Sequence, residues 1–156
     1  MSKYEFFWRS KSPFSHWYSC QYILNQKEFN CCEQGIMYSK AILFNDLEIA
    51  EKILICDNPS KMNQLGKLVK NFDQQIWKDN KEIIVYENNI AKFSQNPHLQ
   101  QILFETSDKN LVETSLWSIG LPPDHSTDQS SKILQRSNLL GKALTRVKHD
   151  LLKLYS

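Results

Sequence analysis

The stretch from Cys31 to Asp46, CCEQGIMYSKAILFND, sets the terms on which the rest of the chain can fold. Its apolar positions Ile36, Met37, Ile42, Leu43 and Phe44 recur at three- and four-residue intervals, which predicts a helix entering a core. Glu33 and Lys40 fall inside it, on the stripe that carries Met37 and Phe44. Their separation is two helical turns, or about 10 Å of rise. A direct ion pair along a helix needs three or four residues, so these two do not meet unaided. A carboxylate and an ammonium on an apolar stripe are costly to desolvate unless each finds a partner, water or a ligand. Two readings follow: both groups snorkel from the edge of a buried helix, or a polar substrate lodges between them.

The chain has 156 residues, 41% of them hydrophobic and 12% aromatic, enough apolar material for one globular domain over residues 1–156. A net charge of +2 without any Lys/Arg block does not argue for nucleic-acid binding by electrostatics. Cys20, Cys31, Cys32 and Cys56 show no CxxC spacing, so neither a zinc site nor a disulfide framework is expected. They read as reduced thiols of a cytosolic protein. The opening MSKYEFFWRSKSP lacks a continuous apolar segment, and no stretch approaches the roughly 20 apolar residues of a membrane span. The expectation is a soluble, cytoplasmic protein with no membrane partner. GxGxxG, P-loop, HExxH and GxSxG strings are all missing, and His16, His98, His125 and His149 form no ligand pattern, so no metal and no cofactor are expected.

Taken in order, Tyr4 to Trp8 read as a short strand broken by Ser12-Pro13-Phe14-Ser15. Tyr22-Ile23-Leu24, the turn Asn25-Gln26-Lys27 and Glu28-Phe29 read as a small hairpin. Arg9, His16, Trp17 and Tyr18 crowd into this cap, either packed on the core or walling a heterocyclic or phosphate ligand. After the central helix, Asn45 is the expected cap of a second helix, Asp46 to Ile55. Helices follow at about Pro59 to Val69, Gln74 to Ser94 with Asp73 as cap, and Pro97 to Phe104. The inward stripe of the long one is read as Ile76, Trp77, Ile83, Ile84, Ile90 and Phe93. Leu111-Val112-Glu113 and Leu116 to Ile119 suggest short strands or an extended crossing, and residues 122–132 a mobile polar loop. An amphipathic helix closes the chain, with Leu140, Ala143, Leu144, Val147, Leu151 and Leu154 on one face. The fold class is mainly α (α+β by loose counting): a single multihelical domain with a small N-terminal antiparallel β element.

Seven strings occur in order: FFWRSKSPFSHWY (6–18), EQGIMYSKAILFND (33–46), LGKLVKNFDQQIW (65–77), KFSQNPHL (92–99), LVE (111–113), WSIGL (117–121) and NLLGKAL (138–144). Together they resemble the NADAR superfamily, which includes the YbiA-like N-glycosidases, over nearly the whole chain. The resemblance implies hydrolysis of an N-glycosidic bond, either in a ribosylamino-pyrimidine phosphate of the riboflavin pathway or in ADP-ribosyl-guanine of nucleic acid, the latter a reversal of ADP-ribosylation. The implied partner is thus a ribosyl-phosphate or ADP-ribosyl substrate.

Breaking a ribosyl C–N bond passes through an oxocarbenium-like centre that a carboxylate can stabilise, or toward which it can direct a water. Glu33 is the choice for that role. Lys40 fits either as a phosphate contact or, if neutral, as an imine-forming nucleophile, and the family pattern favours a direct catalytic part. By the same resemblance Trp77 would stack on the base and Asn71 bond a sugar or amide edge, the plain alternatives being core and cap. Arg9, Ser12, Phe14 and Trp17 fall in the first motif as walls for phosphate and base, and Trp117 in the sixth as a further substrate contact.

The chain departs from the pattern in two places. Relatives commonly carry VEASP-x-D-x-x-WGIG, whereas here Val112-Glu113-Thr114-Ser115-Leu116-Trp117-Ser118-Ile119-Gly120 lacks about four residues, the Asp among them. Glu113 is the acid left to turn inward as a catalytic group. Gly35 stands where relatives carry a bulkier residue, which weakens the helix by up to about 1 kcal/mol and would let a ligand approach the backbone. Loss of the Asp raises a second hypothesis, a catalytically weakened binder of ADP-ribose or a related nucleotide. A third is a helical interaction protein whose polar groups are incidental.

Overall fold

The computed structural model describes residues 11–108, 111 and 131–155. Its small sheet pairs β1 (Tyr22–Leu24) with β2 (Lys27–Phe29), antiparallel, with Tyr22 opposite Phe29, Ile23 opposite Glu28 and Leu24 opposite Lys27. Asn25 (φ 52°) and Gln26 (φ 67°) are both left-handed, as a two-residue hairpin turn requires, so Lys27 belongs to the strand and not to the turn. Tyr22 and Phe29 turn inward while Ile23 and Glu28 face out. The sheet thereby presents one aromatic face to the helices.

Six helices follow among the described residues, so the fold is mainly helical as expected. They are α1 (Cys32–Leu43), α2 (Leu47–Leu54), α3 (Pro59–Lys67), α4 (Gln74–Gln95), α5 (Pro97–Glu105) and α6 (Ser131–Tyr155). The central helix stops earlier than its apolar period suggests. Asn45 adopts φ 56° and turns the chain, a conformation asparagine tolerates, and the next residue does the capping. Asp46 Oδ1 accepts the N–H of Ile49 at 3.1 Å and Oδ2 that of Lys70 at 2.9 Å, so it starts α2 and also ties down the segment before α4. Asn58 caps α3 ahead of Pro59, and Asp73 caps α4, each through its own side-chain oxygen.

At Leu111 the expected extended conformation is replaced by a helical one. Its N–H donates to Ser107 O at 2.9 Å, a helical bond. The remaining residues of that segment, the proposed strands at 4–8 and 116–119 and nearly all of the loop at 122–132 lie outside the described residues. No helix among the described residues is long and apolar enough to cross a membrane.

The inward face of α4 also differs from the apolar stripe expected of it. Ile76 and Ile83 are exposed, whereas Val85, Asn88, Asn89, Ala91, Lys92 and Phe93 are buried. Three polar side chains on that face are satisfied internally, which is why a hydrophobic period did not find them. Asn88 Oδ1 accepts the Tyr22 hydroxyl at 2.7 Å and its amide donates to Ile84 O at 2.9 Å. Gln34, buried on α1, closes the far end of α2: its Nε2 donates to the carbonyls of Ile53, Leu54 and Cys56, and its Oε1 accepts Asn30 N–H at 2.7 Å. Those are terminal carbonyls a helix cannot satisfy by itself.

Gly35 sits where α1 crosses α4. A Cβ there would fall on the Asn88 carboxamide and the Tyr22 hydroxyl, so the missing side chain admits the protein's own atoms and not, as the sequence suggested, a ligand. A helical Gly→Ala change ordinarily gains about 1 kcal/mol. Here the clash dominates, and Gly35→Ala is expected to lower stability by about 1–3 kcal/mol in urea unfolding, the usual cost of overpacking. An unchanged or raised midpoint would show that the crossing is looser than this.

Candidate active site

Glu33 lies in the first turn of α1 and is only 7% exposed. Its N–H donates to His16 O at 2.8 Å, which fastens the loop over residues 12–18 to the start of the helix. Its Oε1 accepts Asn63 Nδ2 at 3.1 Å, a contact from α3. The 12–18 loop is in turn clamped by Lys92. That side chain is fully buried on α4, and its Nζ donates to Pro13 O at 2.6 Å and to Ser15 O at 3.2 Å beneath the Tyr18 and Phe93 rings.

His16 faces the same helix. Its Nε2 lies 3.1 Å from Asn89 Nδ2, and a neutral ring accepts there with its proton on Nδ1. Desolvation, followed by the charges of Lys92 and Lys81, pulls its pKa down to about 3. The imidazole is therefore a neutral strut at ordinary pH. Burial likewise pushes the Cys31 and Cys32 thiols up to about 12, and all four cysteines are unbridged. None of the buried pair is a thiolate nucleophile at neutral pH.

Lys40 occupies the last turn of α1 and is half-buried. Its Nζ lies 4.8 Å from the centroid of Phe72 and 5.3 Å from that of Trp77. Partial burial is the main reason its amine sits below the ordinary lysine value, with Lys81 and Lys67 pressing the same way and Glu33 opposing them. The helical period thus places Glu33 and Lys40 on one side of α1, where each acts on the other electrostatically.

The remaining sequence-predicted residues are distributed unevenly. Trp77 is half-buried in the first turn of α4 and joins Lys40. Asn71 is exposed with φ 60°, in the turn that delivers Phe72. Phe14 is buried in the core and stacks on Phe93 at 6.2 Å, and Trp17 is buried with its backbone N–H donating to Ser15 Oγ at 3.0 Å. Ser12 shapes the loop, its Oγ accepting Phe14 N–H at 3.3 Å and its carbonyl accepting Ser15 N–H at 2.9 Å. Arg9, Glu113 and Trp117 lie outside the described residues. Sequence reasoning missed Asn63, which reaches Glu33 from another helix. It also missed Lys92, whose signal was available: a lysine three or four residues beyond two asparagines on an otherwise apolar face.

A mainly helical chain with an N-terminal hairpin and an acid–amine pair on its central helix defines a class to which the sequence can be compared. The NADAR domain profile matches residues 6–152, and the chain belongs to that family. It is 38% identical over 146 residues to the protein named "N-glycosidase R617" of Acanthamoeba polyphaga mimivirus, a match covering 88% of this chain and 86% of that one. It is 37% identical over 130 residues to "Protein irg-1" of Caenorhabditis elegans, covering 80% of this chain and 61% of that one.

His16 generates a pH test. In the unfolded chain its imidazole takes a proton near 6.5, but in the folded chain only near 3. Protons therefore favour the unfolded state throughout that window, so the His16 contribution is complete above pH 6.5 and declines as pH falls toward 3. His16→Gln is expected to flatten the fall of the urea midpoint between pH 6.5 and pH 5, above the range where most carboxylates titrate. An unaltered slope would place the ring in water.

Proposed function

We propose that this chain is an N-glycosidase that hydrolyses the bond between a ribose anomeric carbon and a base nitrogen. Its substrate is either ADP-ribosyl-guanine in nucleic acid or a ribosylamino-pyrimidine phosphate. The observation that carries the reading is Lys40, an amine held below its usual pKa between two aromatic faces, on the same side of α1 as the buried carboxylate of Glu33. Membership of the NADAR family and the name of the mimiviral relative support the reaction class.

In the proposed sequence the C1′–N bond breaks, its electron pair leaves with the base nitrogen, and that nitrogen takes up a proton. Positive charge develops at C1′ and the ring oxygen, opposite the Glu33 carboxylate. The neutral Lys40 amine then bonds to C1′, and opening of the sugar gives an iminium. Water adds to that carbon, the C–N bond to Lys40 breaks, and ribose departs with the amine restored. The sum is one water consumed, one base and one hydroxyl sugar released. Asn63 holds Glu33 Oε1 in place by its hydrogen bond.

The alternative, an ADP-ribose binder with little turnover, is favoured by the shortened run from Val112 to Gly120. Incubation with ADP-ribosylated guanine nucleic acid and with the riboflavin intermediate separates the two by released base. Glu33→Gln and Lys40→Ala are each expected to cut release by at least about a hundredfold, the scale of a removed acid–base or nucleophilic group. Borohydride should trap a sugar adduct on Lys40 in the wild type and not in Lys40→Ala. Undiminished release in Lys40→Ala would sink the imine route.

A further inference from the structure

One side chain of α1 stands between the acid and the amine. Met37 follows Glu33 by four residues and precedes Lys40 by three, so helical period puts all three on one stripe. Along the axis Met37 is about 6 Å from Glu33 and about 4.5 Å from Lys40. A sugar that touches both groups must share this interval with the methionine.

Where Met37 goes is set from α3. Met62 Sδ of that helix lies 3.6 Å from Cys31 Sγ, Asn63 holds Glu33 Oε1, and Gly66 lies against Met37 itself. A Cβ on Gly66 would fall 2.1 Å from Met37 Sδ and 3.2 Å from its Cγ, so the thioether rests in the space the missing side chain leaves. Gly66 is buried inside a helix and its φ is not left-handed, so close contact and not chain conformation is what glycine serves there. The other sides of Met37 are occupied: it packs on the core group of Cys32, Ile36 and Val85 and on that of Ala41, Ile53 and Val69. Close-packed neighbours leave a displaced thioether one way to move, into the interval.

We propose that Met37 is the apolar floor beneath the substrate ribose, and that Gly66 is the positioning residue that seats its thioether low enough for the sugar to reach both Glu33 and Lys40. The inference rests on the glycosidase reading for the identity of the sugar. Methionine suits the task because three rotatable bonds let it follow the backbone of α3, and its polarizable thioether packs against irregular surfaces such as the C–H face of a pentose.

Ribose 5-phosphate and ADP-ribose are the probes, titrated calorimetrically into the full chain at a temperature where circular dichroism shows each variant folded. Binding of at least one by the wild type is expected. Gly66→Ala should weaken it by at least about tenfold, because the new methyl lifts the thioether into the sugar's place. In a Met37→Ala background the same Gly66→Ala change should alter binding by less than about twofold, since the side chain it displaces is gone. A role confined to helix packing would lower the urea midpoint of Gly66→Ala and leave affinity at the wild-type value. Should Gly66→Ala fail to fold, peroxide oxidation of the wild type, mapped by mass spectrometry, reads the same contact: either probe should protect Met37 from sulfoxide formation, with fully buried Met62 as the unreactive control. Wild-type affinity in Gly66→Ala, an equal loss with and without Met37, no binding of either probe, or oxidation of Met37 that the probes leave unchanged would each overturn the proposal. Coupled loss of binding without base release from either candidate substrate sinks the glycosidase reading and keeps this one. Base release with the same KM in wild type and Gly66→Ala does the reverse.

Discussion

The close crossing of α1 and α4 at Gly35 is the contact on which the other placements depend. With no Cβ at that position, the Asn88 carboxamide and the Tyr22 hydroxyl press against the helix backbone and bond to each other. A hydrophobic crossing would tolerate a slide of one helix along the other, since apolar contacts are not directional. Tyr22, Asn88 and the Cys32 contacts do not, because shifting the helices by a turn would strand buried polar atoms. Register fixed at this end of α1 decides which residue of α4 meets Lys40 two turns away, and the answer is Trp77.

Lys92 extends the same logic to the N-terminal loop. A fully buried ammonium is costly, and this one meets backbone carbonyls and aromatic faces. Charge-assisted bonds of that kind contribute about 1.5–3 kcal/mol each, which offsets part of the desolvation and makes the carbonyl positions of Pro13 and Ser15 specific. Because His16 O holds the N–H of Glu33, a loop fixed at Pro13 and Ser15 also fixes the first turn of α1. Phe14 and Trp17 are buried on this account: they anchor the loop that Lys92 clamps.

What the sequence made legible was local. Asp73, the Pro59 start of α3 and the Tyr22–Phe29 hairpin were readable because a cap or a tight turn involves atoms a few residues apart. The shared side of Glu33 and Lys40 followed from helical period alone. Asn45 and Asp46 were misassigned by one position because both are good caps, and what distinguishes them is the left-handed turn at Asn45 and the Asp46 carboxylate accepting the N–H groups of Ile49 and Lys70. The inner face of α4 was misread for a different reason. Asn88, Asn89 and Lys92 are polar in composition but buried by partners 60 or more residues away in the chain, and such partners leave no local signal. Asn63 beside Glu33 and Phe72 beside Lys40 belong to the same class of tertiary facts.

The surroundings of Lys40 pull in two directions, and the conflict bears on the proposed chemistry. Phe72 and Trp77 offer ring faces that favour a cation, each by about 0.5–1 kcal/mol where solvent still reaches. Partial burial and the charges of Lys81 and Lys67 favour the neutral amine, and burial is the largest of these influences. An amine that begins neutral can attack carbon, but the iminium it becomes is cationic, as is the oxocarbenium-like centre before it. On the proposed route the rings therefore assist late, when positive charge has formed, while desolvation acts early, when the lone pair is needed.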